Sequence, residues 1–254
     1  LLDVLEAGFW GLIAGLGLFL GALVGYFVEL RHHVIATIMG FGGGVLISIL
    51  SFDLMEEAYE LTGFEMTAAG FLAGGLVFST ANWLLARHGA QNRKRCGQCV
   101  QQPSEEQHPG SGISLFLGAL VDGIPESLVI GLSLIGGGMI PSATLAGFFL
   151  ANVPQGLSSA SGMKDARRSA RYVLGAWGGL TLASGVAALL GYSIFGGLST
   201  SMIALMSAFA AGGLLAMLTE TMIPEAFDQA SAFIGLITVT GFLAAFVILK
   251  ISLH

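Results

Sequence analysis

Two prolines sit in apolar sequence beside polar side chains, in nearly the same frame. The first stretch reads Asp122-Gly123-Ile124-Pro125-Glu126-Ser127-Leu128 and the second Ala151-Asn152-Val153-Pro154-Gln155-Gly156-Leu157. In a helix, Asp122 and Glu126 lie one turn apart on one face. Each proline leaves the carbonyl four residues before it, of Val121 and of Leu150, without its helical partner. Two carboxylates, two amides and two freed carbonyls at one depth would make an oxygen-rich pocket, which is the chemistry of cation coordination. The expected work is binding and passage rather than catalysis. A plainer reading also fits the residues: two proline-kinked packing helices with Asp122 and Glu126 near an interface.

The elements that must position this pocket are membrane helices. The chain is 54% hydrophobic and only 10% charged, with 38 glycines and a mean hydropathy of +0.82. A soluble domain carries about 25% charged residues. Apolar windows of about 20 residues, the length a spanning helix needs, recur along the chain. The expectation is an all-α polytopic membrane protein with eight transmembrane helices in a single transmembrane domain, 1–254. An acid inside such a bilayer is costly enough to mark a functional site.

In order, the expected spans are about 5–28, 34–55, 66–86, 113–135, 140–163, 172–195, 201–223 and 231–252. The first is rich in small residues, which lets helices approach closely. It is too long and too evenly apolar for a signal peptide, and no basic segment precedes it. A hydrophilic loop, 87–112, separates spans 1–3 from spans 4–5. Asp53 ends span 2 and Glu220 lies in span 7. They are candidates for the exit and access pathways, flanked by Glu57 and Glu225.

Nine of the ten Lys and Arg residues fall in the 1–2, 3–4 and 5–6 loops, leaving only Lys250 on the other side. The positive-inside rule puts those loops in the cytoplasm and both termini outside. The expected location is the plasma (inner) membrane. Acids gather on the outer side, at Asp3, Glu6, Glu56, Glu57, Glu60 and Glu65, with Glu60 and Glu65 in the 2–3 loop. An acidic vestibule would concentrate cations, although acids are also simply tolerated there. The net charge of −6 gives no argument for nucleic acid as a partner.

An internal repeat sharpens the architecture. Phe41-Gly-Gly-Gly-Val-Leu-Ile-Ser-Ile-Leu-Ser51 matches Phe209-Ala-Ala-Gly-Gly-Leu-Leu-Ala-Met-Leu-Thr219. Gly21-Ala-Leu-Val-Gly-Tyr26 echoes Ala187-Ala-Leu-Leu-Gly-Tyr192, and Gly70-Phe-Leu-Ala echoes Gly241-Phe-Leu-Ala. Spans 1–3 thus correspond to 6–8, and 4 to 5. Corresponding helices five spans apart cross in opposite directions, giving a 3+2+3 inverted repeat, an arrangement transporters build around a midplane site.

With these motifs the chain resembles the ZIP (Zrt/Irt-like) divalent-metal transporters, over nearly its whole length. In that family span four carries His-Asn-x-Pro-Glu-Gly and span five a similar motif, with the metal between them. The resemblance puts Asp122 at the family's histidine, Gly123 at its asparagine and Glu126 at its glutamate. In span five Ala151 replaces His or Gln, Asn152 matches, and Gln155 replaces Glu. Ser184-Gly185 stands at the family's span-six Glu-Pro, and Thr221 at its span-seven glutamate. The resemblance implies a divalent cation as substrate, held by Asp122, Glu126, Asn152 and Gln155, with Asp53 and Glu220 on the route. All five histidines lie in loops or at span ends. Oxygen ligands suit Mg²⁺, Mn²⁺ or Ca²⁺ better than Zn²⁺, while the family's habit leaves zinc, manganese and iron open as well. Gln155 in place of a bridging carboxylate implies at most one cation site. The alternative is a non-transporting ZIP-like scaffold or subunit of a larger complex with a degenerate site.

The hydrophilic loop contains Arg95-Cys96-Gly97-Gln98-Cys99-Val100, with His88 and His108 on either side. Cys96, Cys99, His88 and His108 could make a tetrahedral zinc site, or the loop is a linker with two free thiols, since a lone C-x-x-C is a weak signal. The expected partners are the lipid bilayer and the metal ion. A homodimer or partner subunits of a membrane complex remain open.

Overall fold

The computed structural model describes residues 2–87, 111–135, 142–228 and 233–252. Among the described residues there is no strand. The long helices are α1 (Leu2–Phe27), α2 (His32–Ile49), α3 (Glu56–Leu85), α4 (Ser111–Ser133), α5 (Ser142–Asp165), α6 (Ala170–Phe195), α7 (Thr200–Met217) and α9 (Ile234–Ser252). The short α8 (Ile223–Asp228) follows α7. Helices satisfy their own backbone polar groups, which is the condition for entering lipid.

Six helical stretches among the described residues are long and apolar enough to cross a membrane: Leu2–Phe27, His33–Leu85, Phe116–Ser133, Ala170–Phe195, Thr200–Phe227 and Ile234–Ile251. The chain is an all-α membrane protein. The His33–Leu85 stretch has 53 residues, about 80 Å at the helical rise, against a hydrocarbon core of about 30 Å. It breaks at Gly63, where φ is 74° and ψ −179°, a conformation that costs glycine little. The break corrects one expectation. Glu60 and Glu65 lie within α3 and not in a loop, because Glu56-Glu-Ala-Tyr-Glu-Leu61 is good helix-forming sequence and only Gly63 interrupts it.

α5 is not among the six stretches, since Asn152, Gln155 and its serines dilute its apolar residues. It is instead buried inside the bundle, with all but one of residues 151–160 shielded. Large apolar side chains on the outer helices, such as Leu72 and Leu76 of α3, Leu182 and Ile194 of α6 and Leu236 of α9, stay exposed, as surfaces facing lipid must.

Close approaches fix the helix directions. Gly17 of α1 lies on Phe149 and Asn152 of α5, and Gly25 on Leu157, so α1 and α5 are parallel. Gly8 of α1 meets Leu189 of α6 and Gly15 meets Thr181, so those two are antiparallel. Gly179 of α6 faces Phe116 of α4 and Gly191 faces Leu128, a parallel pair. α2 runs against α5, with Gly42 on Pro154 and Ile49 on Gly147. It runs with α9, with Gly40 on Ile234 and Phe52 on Phe242 and Phe246. α3 runs with α7, with Gly70 on Leu205 and Gly74 on Phe209. Residues 42–43 of α2 meet residues 222–223 just beyond α7, while the turn after α2 packs on α7 itself, so α2 and α7 are antiparallel. Taken in chain order, the eight long helices among the described residues therefore alternate in direction.

α2 and α7 each end in a π-helical turn, Leu50–Met55 and Leu218–Met222. Each turn carries one acid, Asp53 or Glu220. Such widened turns are rare and frequent at functional sites.

Candidate functional site

α4 and α5 stay helical through Pro125 and Pro154. Asp122, Glu126, Asn152 and Gln155 are all at most 3% exposed. The Gln155 Nε2 donates toward Glu126 Oε1 and toward Asn152 Oδ1, each at 3.4 Å. Asn152 Nδ2 donates to the Ala14 carbonyl at 3.1 Å. One connected set of polar atoms thus joins α1, α5 and α4. Asp122, one turn before Glu126, is buried at 1% exposure.

Small residues make these approaches possible. A Cβ on Gly17 would collide with the Phe149 carbonyl and lie 3.0 Å from the Asn152 Cβ. Without that clearance α1 could not bring the Ala14 carbonyl to Asn152. The two prolines pack on glycine-bearing stretches: a Cβ on Gly213 of α7 would lie 3.2 Å from Pro125 Cγ, and one on Gly42 of α2 would lie 3.3 Å from Pro154 Cγ. Ser127 Oγ returns to the Gly123 carbonyl at 2.9 Å. Ser158 and Ser159, one turn beyond Gln155, are also buried.

Asp53 and Glu220 lie away from this group. Thr144 Oγ1 donates to Asp53 Oδ2 at 2.6 Å. Thr144 precedes Asn152 by eight residues of α5, about 12 Å along the axis. Glu220 is exposed and accepts from Ser79 Oγ and, at 2.6 Å, from Asn82 Nδ2, both of α3. The flanking acids differ: Glu57 is exposed, whereas Glu225 is buried. Thr221 returns its hydroxyl to the Met217 carbonyl at 2.6 Å. Ser184 Oγ bonds the Leu180 carbonyl at 3.1 Å beside Gly15 and Gly123.

Among the described residues, no group of three or more His, Cys, Asp or Glu side chains is arranged to hold a metal ion. The α4–α5 junction brings together one carboxylate, Glu126, and two amides, Asn152 and Gln155, with Asp122 buried one turn before Glu126. His88, Cys96, Cys99 and His108 lie outside the described residues. Sequence reasoning missed Thr144, Ser79, Asn82 and the Ala14 carbonyl. Thr144 had a signal, since it falls on the Asn152 side of α5 two turns earlier. A backbone carbonyl has none.

No protein-family model matches the chain, and no curated protein matches it. The functional reading therefore rests on the pocket and the helix arrangement.

Proposed function

We propose that the chain is a ZIP-like transporter moving a divalent metal cation across the membrane, through an oxygen-ligand site between α4 and α5. The observation that carries this reading is the buried junction of Glu126, Gln155 and Asn152, on two proline-bearing helices in the middle of the bundle. A carboxylate and two amides gathered in an apolar interior are costly for packing alone, and intramembrane acids line substrate routes.

The helix arrangement supports the eight-span, 3+2+3 repeat that this function needs. Exchanging α1–α3 for α6, α7 and α9, and α4 for α5, turns the parallel α1–α5 pair into the parallel α6–α4 pair. It also turns the parallel α2–α9 pair into α7–α3. The two π turns start at matched positions, Leu50 and Leu218. Gly241 lies on the Phe41 carbonyl and Gly74 on the Phe209 carbonyl, so contacts pair Gly74 with Gly241, one turn from the Gly70 match. Alternating access would move one such unit against the other around the pocket. The orientation that accompanies this reading puts both termini outside the plasma membrane.

A second reading, a non-transporting scaffold, draws on Asp53 and Glu220. Each is tied by hydrogen bonds to a neighbouring helix, as struts would be. Cation-dependent flux in proteoliposomes, screened across Zn²⁺, Mn²⁺, Fe²⁺, Mg²⁺ and Ca²⁺, tests the choice. Transport of at least one of them, abolished by Glu126→Gln, is the expected result. No flux for any of them, with a second protein retained through native purification, would favour the scaffold.

A further inference from the structure

The amide of Gln155 stands between two oxygens. Its orientation follows from its neighbours: Asn152 spends its nitrogen on the Ala14 carbonyl, so its oxygen faces Gln155, and Glu126 Oε1 stands on the other side. Between two acceptors only an N–H pair fits, and Gln155 Nε2 supplies it, at 3.4 Å to each. Both contacts are longer than the roughly 2.7–3.2 Å of an ordinary N–H···O bond, so the nitrogen is held only weakly by its acceptors.

We infer that Gln155 is the specificity-determining residue of the pocket, its amide nitrogen holding the place of the cation between Glu126 and Asn152. The inference rests on the reading of this pocket as a cation site. A dication enters by displacing the nitrogen, after which the Gln155 amide turns its oxygen inward. Glu126 and Asn152 must give up the N–H donors before they can serve as ligands, so affinity is held low. The ligands left are hard oxygens, with no imidazole or thiolate among them. The cargo is then a hard dication, Mg²⁺, Ca²⁺ or Mn²⁺, and Zn²⁺ gains no advantage.

The test is Mn²⁺ binding to the purified full-length protein in detergent, read from the loss of the free aqueous Mn²⁺ electron paramagnetic resonance signal, with Mg²⁺, Ca²⁺ and Zn²⁺ as competitors. A place-holding amide and a simple ligand differ in what truncation does. If the nitrogen holds the cation's place, Gln155→Ala tightens Mn²⁺ binding about fivefold, because water fills the vacated ligand position and no donor has to be displaced. Gln155→Glu tightens it further and moves the preference toward Zn²⁺. If Gln155 is only a ligand, Gln155→Ala weakens binding or leaves it unchanged, which overturns the inference while Glu126→Gln still abolishes binding. Absence of Mn²⁺ binding in the parent, in Gln155→Ala and in Gln155→Glu alike would overturn the cation-site reading itself. Gln155→Ser, smaller but still polar, gives the same order should the alanine variant fail to fold.

Discussion

A buried carboxylate in this bundle, Glu126, takes a hydrogen bond from a neighbouring amide. Glu126 accepts from Gln155, and the nearest neutral partner of that amide is Asn152. If the pocket takes a dication, the carboxylate meets it as a charge and the amide only as a dipole, so the two kinds of ligand should differ in weight. Glu126→Gln removes a charge the cation offsets and should cost about 3–5 kcal/mol of binding, the scale for breaking a buried charge pair. Asn152→Ala removes one neutral group and should cost about 1–2 kcal/mol. Calorimetric titration of both variants with the preferred cation checks the order, and equal losses would remove the special role of Glu126. The loop thiols are a separate question of the same scale. If Cys96 and Cys99 hold zinc, the purified protein carries near-stoichiometric zinc that the double Cys→Ser variant lacks, measured by elemental analysis. Unchanged zinc content leaves the linker reading.

The helices that bring these residues together do so through absent side chains. α1 reaches α5 at Gly17, Gly21 and Gly25, each laid on a backbone carbonyl of α5. Gly17→Leu would force the pair apart at the level of Asn152 and break its bond to the Ala14 carbonyl. Overpacking of this kind costs about 1–3 kcal/mol, so the variant should lose thermal stability in detergent and cation binding together. A control at Gly178 of α6, where a new Cβ would meet only the Phe19 ring at 3.8 Å, should leave both nearly unchanged. Much of this was legible in the sequence: the glycine spacing in span 1, the proline frame shared by spans 4 and 5, and the polar residues on each side of it. Element boundaries were less legible. The sequence reads as a 2–3 loop holding Glu60 and Glu65, yet glutamate is a good helix former and only Gly63 interrupts the helix. The π turns were not legible, since the apolar residues of spans 2 and 7 lie all round the helix and leave no single face whose phase shift could be followed. The struts of Asp53 and Glu220 were equally hidden. They depend on which helices become neighbours, and α3 becomes the parallel neighbour of α7 only in the folded bundle.

At the scale of the whole molecule, helix direction and charge make one joint prediction. The eight long helices alternate, so the α3 C-terminus, the α5 C-terminus and the α1–α2 turn emerge on one side. The Gly63 break and the α6–α7 turn emerge on the other. Arg31, Arg87, Lys164, Arg167, Arg168 and Arg171 all belong to the first group, and lysine and arginine are retained in the cytoplasm. Lys250, the basic residue at the opposite end, pairs with Glu56 at 3.7 Å. It is a single charge against the six of the first group, and so weakly opposes the bias. A membrane-impermeant maleimide added to intact cells should therefore spare Cys96 and Cys99 and label them only after permeabilisation. In the background with both cysteines changed to serine, Glu60→Cys and Ser199→Cys should be labelled from outside, and Arg167→Cys should not. The decisive position is Ser199. It lies beyond α6, so its sidedness requires α4, α6 and the more polar α5 all to cross the membrane. Protection of Ser199→Cys together with labelling of Glu60→Cys and Arg167→Cys would mean that α4 or α5 does not traverse the bilayer. The inverted repeat would then fail, and with it the transport path between α4 and α5.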